Sequence, residues 1–269
     1  MTQPVLGVFD SGVGGLTVLN ALVAALPFAH VQYLGDTAWM PYGTKPKKAL
    51  KDRVTHIFAH FAQLDGVVIA CNTSAGLFQD GYPRTAPWVL DPATPTAQWL
   101  GAQTALTRVG ILATPNTVAS HIYPRKLAQW APHCQVQQVA STRLASDVEQ
   151  QRLNDPQARE DLAHVLAPLL DWGMEALVLG CTHYPLALPL LKNLLPEDVL
   201  TVDPAWLMAQ VAAQRFGPQP GTGTQEYWVT GNPDGFVQAA QQFALPHLAI
   251  QTASVIDFQE PSEKKSILM

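Results

Sequence analysis

One pattern occurs twice along the chain, and it limits the possible folds more than any other feature. LGVFDSG (6–12) is answered by VGILATP (109–115), and GVVIACNT (66–73) by ALVLGCTH (176–183). Each is a short apolar run, rich in β-branched residues and bounded by small or turn-forming residues, which reads as a buried strand. Strands that alternate with helical periodicity build βαβ units and therefore parallel sheets. Ligands of such sheets gather outside the carboxyl ends of the strands. In both halves of the repeat that end carries a cysteine, Cys71 in one and Cys181 in the other.

The remaining segments fill in the same alternation. After the first strand, the turn at Ser11 and Gly12 leads into GLTVLNALVAAL, which is periodic as a helix. HVQYLGD is a second strand and runs into TAWMPYGTKP, a loop punctuated by Pro41, Gly43 and Pro46. NTSAGLFQD starts a helix with Asn72 or Thr73 as its cap. PNTVASHIYPRKLAQW reads as one helix, and the helix after Cys181 is expected to be capped by Thr182 or His183, with Pro185 in its first turn. YWVTGNP and DGFVQAAQQFAL add one more strand and helix, and the polar tail QEPSEKKSILM is expected to fray.

With 269 residues, 48% of them hydrophobic and 14% charged, the chain can bury the core of two compact α/β units. A net charge of −5 argues against a broad phosphate-binding surface, so a small molecule rather than nucleic acid is the expected partner. No Lys or Arg precedes Lys45, which leaves no charged leader for secretion, and the apolar run from Leu16 to Phe28 is too short to cross a membrane. Three cysteines make poor material for a disulfide framework, so reduced thiols and a cytoplasmic location are expected.

A cysteine after an apolar run is usually an inert core residue, and Cys134, in PHCQVQ, takes that reading. Cys71 and Cys181 differ because each precedes a helix start, whose free N–H groups and dipole favour a thiolate. A closed zinc site needs four ligands at characteristic spacings, and Cys71, Cys181 and His183 do not supply them. A Cys/His hydrolase would leave one thiol unexplained. Two thiols facing one cleft from two halves instead suit proton transfer at opposite faces of a single carbon, which inverts a stereocentre. Pyridoxal phosphate would need a Schiff-base lysine, and none of the eight lysines has a pocket position, so no cofactor is expected. DSGVGG fails the dinucleotide fingerprint because Thr17 stands where its third glycine belongs. The turn can offer backbone N–H groups and the Ser11 hydroxyl to a carboxylate, while Asp10 either takes an ammonium group or acts as a cap. KPKKALKDR reads as a solvated helix face, with steering of an acidic substrate as the lesser reading.

These residues resemble the glutamate racemase family of cofactor-independent aspartate/glutamate racemases. GVFDSGVGGLTVL, DTAWMPYG, ACNTSA, ILATPNTVAS, LGCTHYPL, VDPAW and TGNPDGF look like family segments in family order, over nearly the whole chain. The resemblance implies two pseudo-symmetric α/β domains with mainly parallel sheets and the active site in the cleft between them. It places 1–96 and 209–269 in the first domain and 97–208 in the second. It implies racemisation of L-glutamate to D-glutamate for peptidoglycan, without cofactor or metal, in a protein that binds no nucleic acid or membrane and can form a homodimer.

Carried onto this sequence, the resemblance makes Cys71 and Cys181 the acid/base pair, Cys71 serving D-glutamate and Cys181 L-glutamate. Asp10, Ser11, Pro41, Tyr42, Gly43, Asn72, Thr73, Thr182 and His183 hold the substrate, with Thr114 and Thr117 as outer contacts. Asp10 and His183 also assist the thiols, and Glu149 supplies a supporting carboxylate, although STRLASDVEQ replaces the apolar, proline-containing stretch usual in the family. The alternatives are a racemase of aspartate or another acidic substrate, and a glutamate-binding regulatory protein.

Overall fold

The structure, a computed structural model, describes residues 3–78, 81–83, 86–218 and 221–258. Its first half runs β1 (Val5–Asp10), α1 (Leu16–Ala25), β2 (His30–Gly35), α2 (Lys47–His60), β3 (Gly66–Ile69), α3 (Asn72–Ala75) and β4 (Val89–Leu90). Then follow α4 (Ala93–Ala102), β5 (Arg108–Ala113), α5 (Pro115–Ser120), α6 (Ile122–Trp130), β6 (Gln135–Ala140), α7 (Leu144–Glu149), α8 (Pro156–Asp171), β7 (Ala176–Gly180), α9 (Leu188–Lys192) and β8 (Leu200–Val202). The chain continues through α10 (Pro204–Phe216), β9 (Gln225–Val229), α11 (Pro233–Gln242) and β10 (Ser254–Val255).

The strands form two sheets, ordered β10-β9-β2-β1-β3-β4 and β6-β5-β7-β8, and their pairings are parallel. The order β2-β1-β3-β4 in the first sheet matches β6-β5-β7-β8 in the second, so the repeat in sequence is a repeat in topology. In each sheet the chain leaves a central strand to one side and returns on the other, which opens a crevice at the carboxyl ends of that strand and its later neighbour. In the first sheet those ends are Asp10 of β1 and Cys71 after β3; in the second they are Thr114 after β5 and Cys181 after β7. The C-terminal unit joins the first sheet, with β9 beside β2. The boundaries expected at 96/97 and 208/209 fall inside α4 and α10, and α10 packs on both α1 and α4, one helix from each half.

Burial follows from this layering. β1, β3 and β7 are apolar along nearly their whole length because both faces of a parallel sheet are covered. α1 is buried from Leu16 to Leu22, lying under α10 as well as on the sheet. α8 is one-sided, with Ala158, Leu162, Leu166 and Leu169 inward, and the Asp155 carboxylate caps it by accepting from Gln157 N at 3.0 Å. One hydrophobic cluster runs across both halves, joining Phe9 and Ile69 to Val109 and Ile111.

Three local expectations change. PNTVASHIYPRKLAQW is two helices, α5 and α6, broken at His121 in the left-handed region (φ 54°). Ser120 makes the break by donating to Thr117 O at 2.6 Å and accepting from Ile122 N at 3.2 Å. The helix starts after the two cysteines are short: α3 has four residues, and a 3-10 turn at Tyr184–Ala187 precedes α9. Neither is capped by the expected side chain, because those side chains bond elsewhere in the cleft. Finally, KPKKALKDR is only partly solvated: Lys48 pairs with Asp52 at 3.2 Å on the surface, but Arg53 turns inward to the buried Asp36. The tail 259–269 lies outside the described residues.

Candidate active site

A cavity of about 260 Å³ opens between the two sheets. Twelve of the residues singled out above line it: Ser11, Pro41, Tyr42, Gly43, Cys71, Asn72, Thr73, Thr114, Glu149, Cys181, Thr182 and His183. The first half therefore supplies the turn after β1, the loop after β2 and the residues after β3. The second half supplies the residues after β5 and β7, and one face of α7. Two expected contacts, Asp10 and Thr117, do not line the cavity; both are fully buried just behind it.

Asp10 is held by the glycine turn. Its Oδ2 accepts from Gly12 N at 3.1 Å and Gly15 N at 2.9 Å, and its Oδ1 accepts from the Thr182 hydroxyl of the other half at 3.3 Å. A Cβ on Gly15 would stand 2.3 Å from that of Asp10, so the turn can close over the carboxylate only with glycine there. Burial raises the Asp10 carboxyl above the usual range, against the lowering by His183 and the bonds from the turn. Asp10 thus closes the turn ahead of α1, whose N-cap residue, Gly15, supplies no side-chain cap.

The two thiols sit in different surroundings. Cys71 is buried, and that burial, with Asp10 as a second cause, pushes it up to about 12, against the lowering effect of bonds from Ser74 and Ser11. Its thiol therefore keeps its proton at neutral pH. Cys181 Sγ lies 3.7 Å from His183 Nδ1, and His183 Nε2 lies 2.7 Å from Glu149 Oε1. Burial disfavours the charged ring, but the bonds and charges of Cys181 and Glu149 prevail and raise His183 to about 10. An imidazolium thus stands beside Cys181, anchored from α7.

The cavity walls are tied together across the halves. Thr17 donates to Thr182 O at 3.0 Å, and Asn116 Nδ2 donates to Tyr42 O and Lys45 O at 2.8 and 2.9 Å. Thr73, Thr114 and Thr117 form a hydroxyl cluster with separations of 2.9–3.2 Å. Tyr42 is also fixed from below, its hydroxyl donating to Asp36, which Arg53 grips with Nε at 3.1 Å and Nη2 at 2.8 Å.

Four more residues line the cavity that the sequence reading gives no role: Met40, Ala145, Ser146 and Gln150. Met40 lies within TAWMPYG itself. Ala145 and Ser146 share with Glu149 one face of α7 and Gln150 follows as its C-cap, so Glu149 on a helix is the signal for them. Cys134 lies away from the cavity with Sγ 3.3 Å from Leu106 O. Among the described residues no group of three or more His, Cys, Asp or Glu side chains is placed to hold a metal ion, and no helix is long and apolar enough to cross a membrane.

Comparison with known proteins gives consistent matches. The model of the Asp/Glu/Hydantoin racemase family matches residues 7–212. A glutamate racemase of Gloeobacter violaceus is 37% identical over 268 residues, covering 92% of this chain and 99% of that protein. Among solved structures, glutamate racemase isoform RacE1 from Bacillus anthracis superposes with a TM-score of 0.85 at 28% identity, covering 97% of this chain and 99% of that one. The Francisella tularensis glutamate racemase, solved in complex with D-glutamate, superposes with a TM-score of 0.84 at 26% identity, over 95% of this chain and 97% of that one.

Proposed function

The chain belongs to the Asp/Glu/Hydantoin racemase family and is an isomerase, and from that premise we propose that it interconverts L- and D-glutamate by a two-thiol acid/base mechanism. The observation that carries the reading is the arrival of Cys71 and Cys181 in one cavity from equivalent strand ends of two topologically matched sheets. The glutamate names of the relatives and the D-glutamate complex of one structural neighbour support the substrate. Supplying D-glutamate for peptidoglycan is the role that goes with that substrate, as the family resemblance implies.

In the proposed reaction one thiolate removes the α-hydrogen as a proton. The electron pair stays on the α-carbon and spreads into the adjacent carboxylate. The other thiol then delivers a proton to the opposite face, so one sulfur ends protonated and the other ionised. His183, positively charged beside Cys181 and fixed by Glu149, supports the sulfur on its side; Asp10 serves Cys71. Ser11, Asn72, Thr73, Thr114 and Thr182 offer hydroxyl and amide groups to the two carboxylates and the ammonium group, and Pro41, Tyr42 and Gly43 shape the wall. Thr117 holds Thr73 and Thr114.

Racemisation in heavy water, started separately from each enantiomer and followed through the first few per cent, tests this. Product should carry α-deuterium while the remaining substrate stays largely protiated, because the donating thiol equilibrates with solvent before turnover. Product that retains its hydrogen from both enantiomers, or near-normal racemisation by Cys71→Ala or Cys181→Ala, defeats the mechanism.

A further inference from the structure

Asn72 is one of the few neutral cavity residues whose two polar ends differ chemically, since its carbonyl oxygen accepts and its NH2 donates. In the structure the oxygen faces away from the substrate space. It accepts a hydrogen bond of 2.6 Å from the hydroxyl of Tyr123, a fully buried side chain on α6. Asn72 belongs to the first half and Tyr123 to the second, so the bond crosses between them. The Asn72 amide nitrogen has no hydrogen-bond partner among the described residues, and the residue lines the cavity.

We infer that Tyr123 is a positioning residue for the racemase reaction: by engaging the Asn72 carbonyl from the opposite half, it turns the Asn72 NH2 toward the substrate and makes that wall a donor to a carboxylate. The inference rests on the proposed glutamate reaction and adds a residue that touches neither substrate nor thiol. Three features carry it. The Tyr123 hydroxyl can bind the amide oxygen by donating its proton, and it keeps that proton because burial, then the neighbouring Asp91, raises it well above the ordinary tyrosine range. A flipped amide would give its NH2 to the phenol oxygen and leave the buried Tyr123 O–H with no acceptor among the described residues, which costs the desolvation of that donor. A carboxylate substrate needs donors, so the orientation that Tyr123 enforces is the one that binds it.

The alternative is that Tyr123 merely fills space in the second half, and kinetics separate the two. Tyr123→Phe keeps the ring and removes the hydroxyl. It is expected to raise KM for both enantiomers roughly three- to tenfold, the worth of one neutral hydrogen bond, with kcat within about twofold. Because Tyr123 acts through Asn72, adding Tyr123→Phe to Asn72→Ala should change KM no further than Asn72→Ala alone. An unchanged KM in Tyr123→Phe, or full additivity in the double variant, overturns the assignment. A structure of the wild-type protein with bound glutamate reads the same orientation and does not depend on how Tyr123→Phe folds. Asn72 Nδ2 should lie within about 3.5 Å of a substrate carboxylate oxygen while Oδ1 keeps the Tyr123 hydroxyl, and an Asn72 amide nitrogen bound to neither carboxylate overturns the inference. Wild-type protein that racemises no glutamate overturns the functional reading and this inference together, whereas active wild type with an indifferent Tyr123→Phe overturns the inference alone.

Discussion

Replacing Arg53 by Met is expected to lower stability and substrate affinity together, although Arg53 does not line the cavity. Its partner Asp36 is completely buried, and the Arg53 side chain is only 9% exposed. Two guanidinium nitrogens reach the carboxylate at 2.8 and 3.1 Å, and a third donates to Phe258 O at 2.8 Å. The guanidinium also lies 5.2 Å from the Trp39 ring centre and 5.6 Å from that of Phe258. Methionine keeps most of the stem and removes the fork, which leaves a buried carboxylate without its counter-charge. Breaking such a pair costs about 3–5 kcal/mol. Asp36 retains the Tyr42 and Thr230 hydroxyls as donors, so the low end, about 3 kcal/mol, is the expected value. At roughly 2–4 °C per kcal/mol for a chain of this size, Tm should fall by about 6–12 °C. KM should rise as well, because Tyr42 in the cavity wall hangs on the same carboxylate. Arg53→Lys keeps the charge without the fork and should fall between the two. Calorimetry at neutral pH with glutamate kinetics reads both effects. A Tm within about 2 °C of wild type together with an unchanged KM would refute the reasoning.

Glu149→Gln keeps an acceptor for His183 but removes its charge, so His183 should fall from about 10 toward its ordinary 6.5. A raised histidine stabilises fully below about 6.5 and loses that contribution as pH climbs toward 10. Denaturant midpoints should therefore decline from pH 6 to pH 10 more steeply in wild type than in Glu149→Gln; parallel declines would contradict the pairing. Gly14→Ala would place a Cβ 2.5 Å from Thr182 Oγ1 and 2.6 Å from His183 Nδ1, pressing the two halves apart at the site. It should cost about 1–3 kcal/mol in stability and reduce kcat/KM at least roughly tenfold, and wild-type kinetics would show that the approach is not needed.

The strand ends were legible because a parallel strand buried on both faces must be a short continuous apolar run, and four such runs carried the motifs. VLGVFD, GVVI, RVGILA and ALVLG all stand where the sequence puts them, and with them Cys71, Cys181, Asp10 and Thr114. The helix starts were misread for one physical reason. Asn72, Thr73, Thr182 and His183 are good capping types, but their polar atoms are engaged across the cleft by Tyr123, Thr114, Asp10 and Glu149, partners 34 to 172 residues away in sequence. Local propensity contains no term for those partners. Arg53 was hidden likewise: among exposed lysines it has the composition of a solvated face, and only the position of Asp36 turns it inward. The break at His121 had no local signal stronger than Pro124, which the first turn of a helix tolerates.

The matched topology of the two sheets puts the thiols in equivalent places but does not give them equivalent chemistry. The carboxylate that ends β1 has no counterpart at the end of β5, where Ala113 and Thr114 stand. The imidazole two residues after Cys181 has none after Cys71, where Thr73 occupies the equivalent position and bonds to Thr114 and Thr117. Cys71 consequently faces a buried carboxyl group and holds its proton, while Cys181 faces a cation braced by Glu149. The proposed interconversion runs both ways, so each sulfur takes the proton in one direction and gives it in the other, and the two halves support that exchange with different partners. Duplication of the βαβ unit supplies the opposed faces, and the residues that break the symmetry, Asp10 on one side and His183 with Glu149 on the other, give each sulfur its own supporting group.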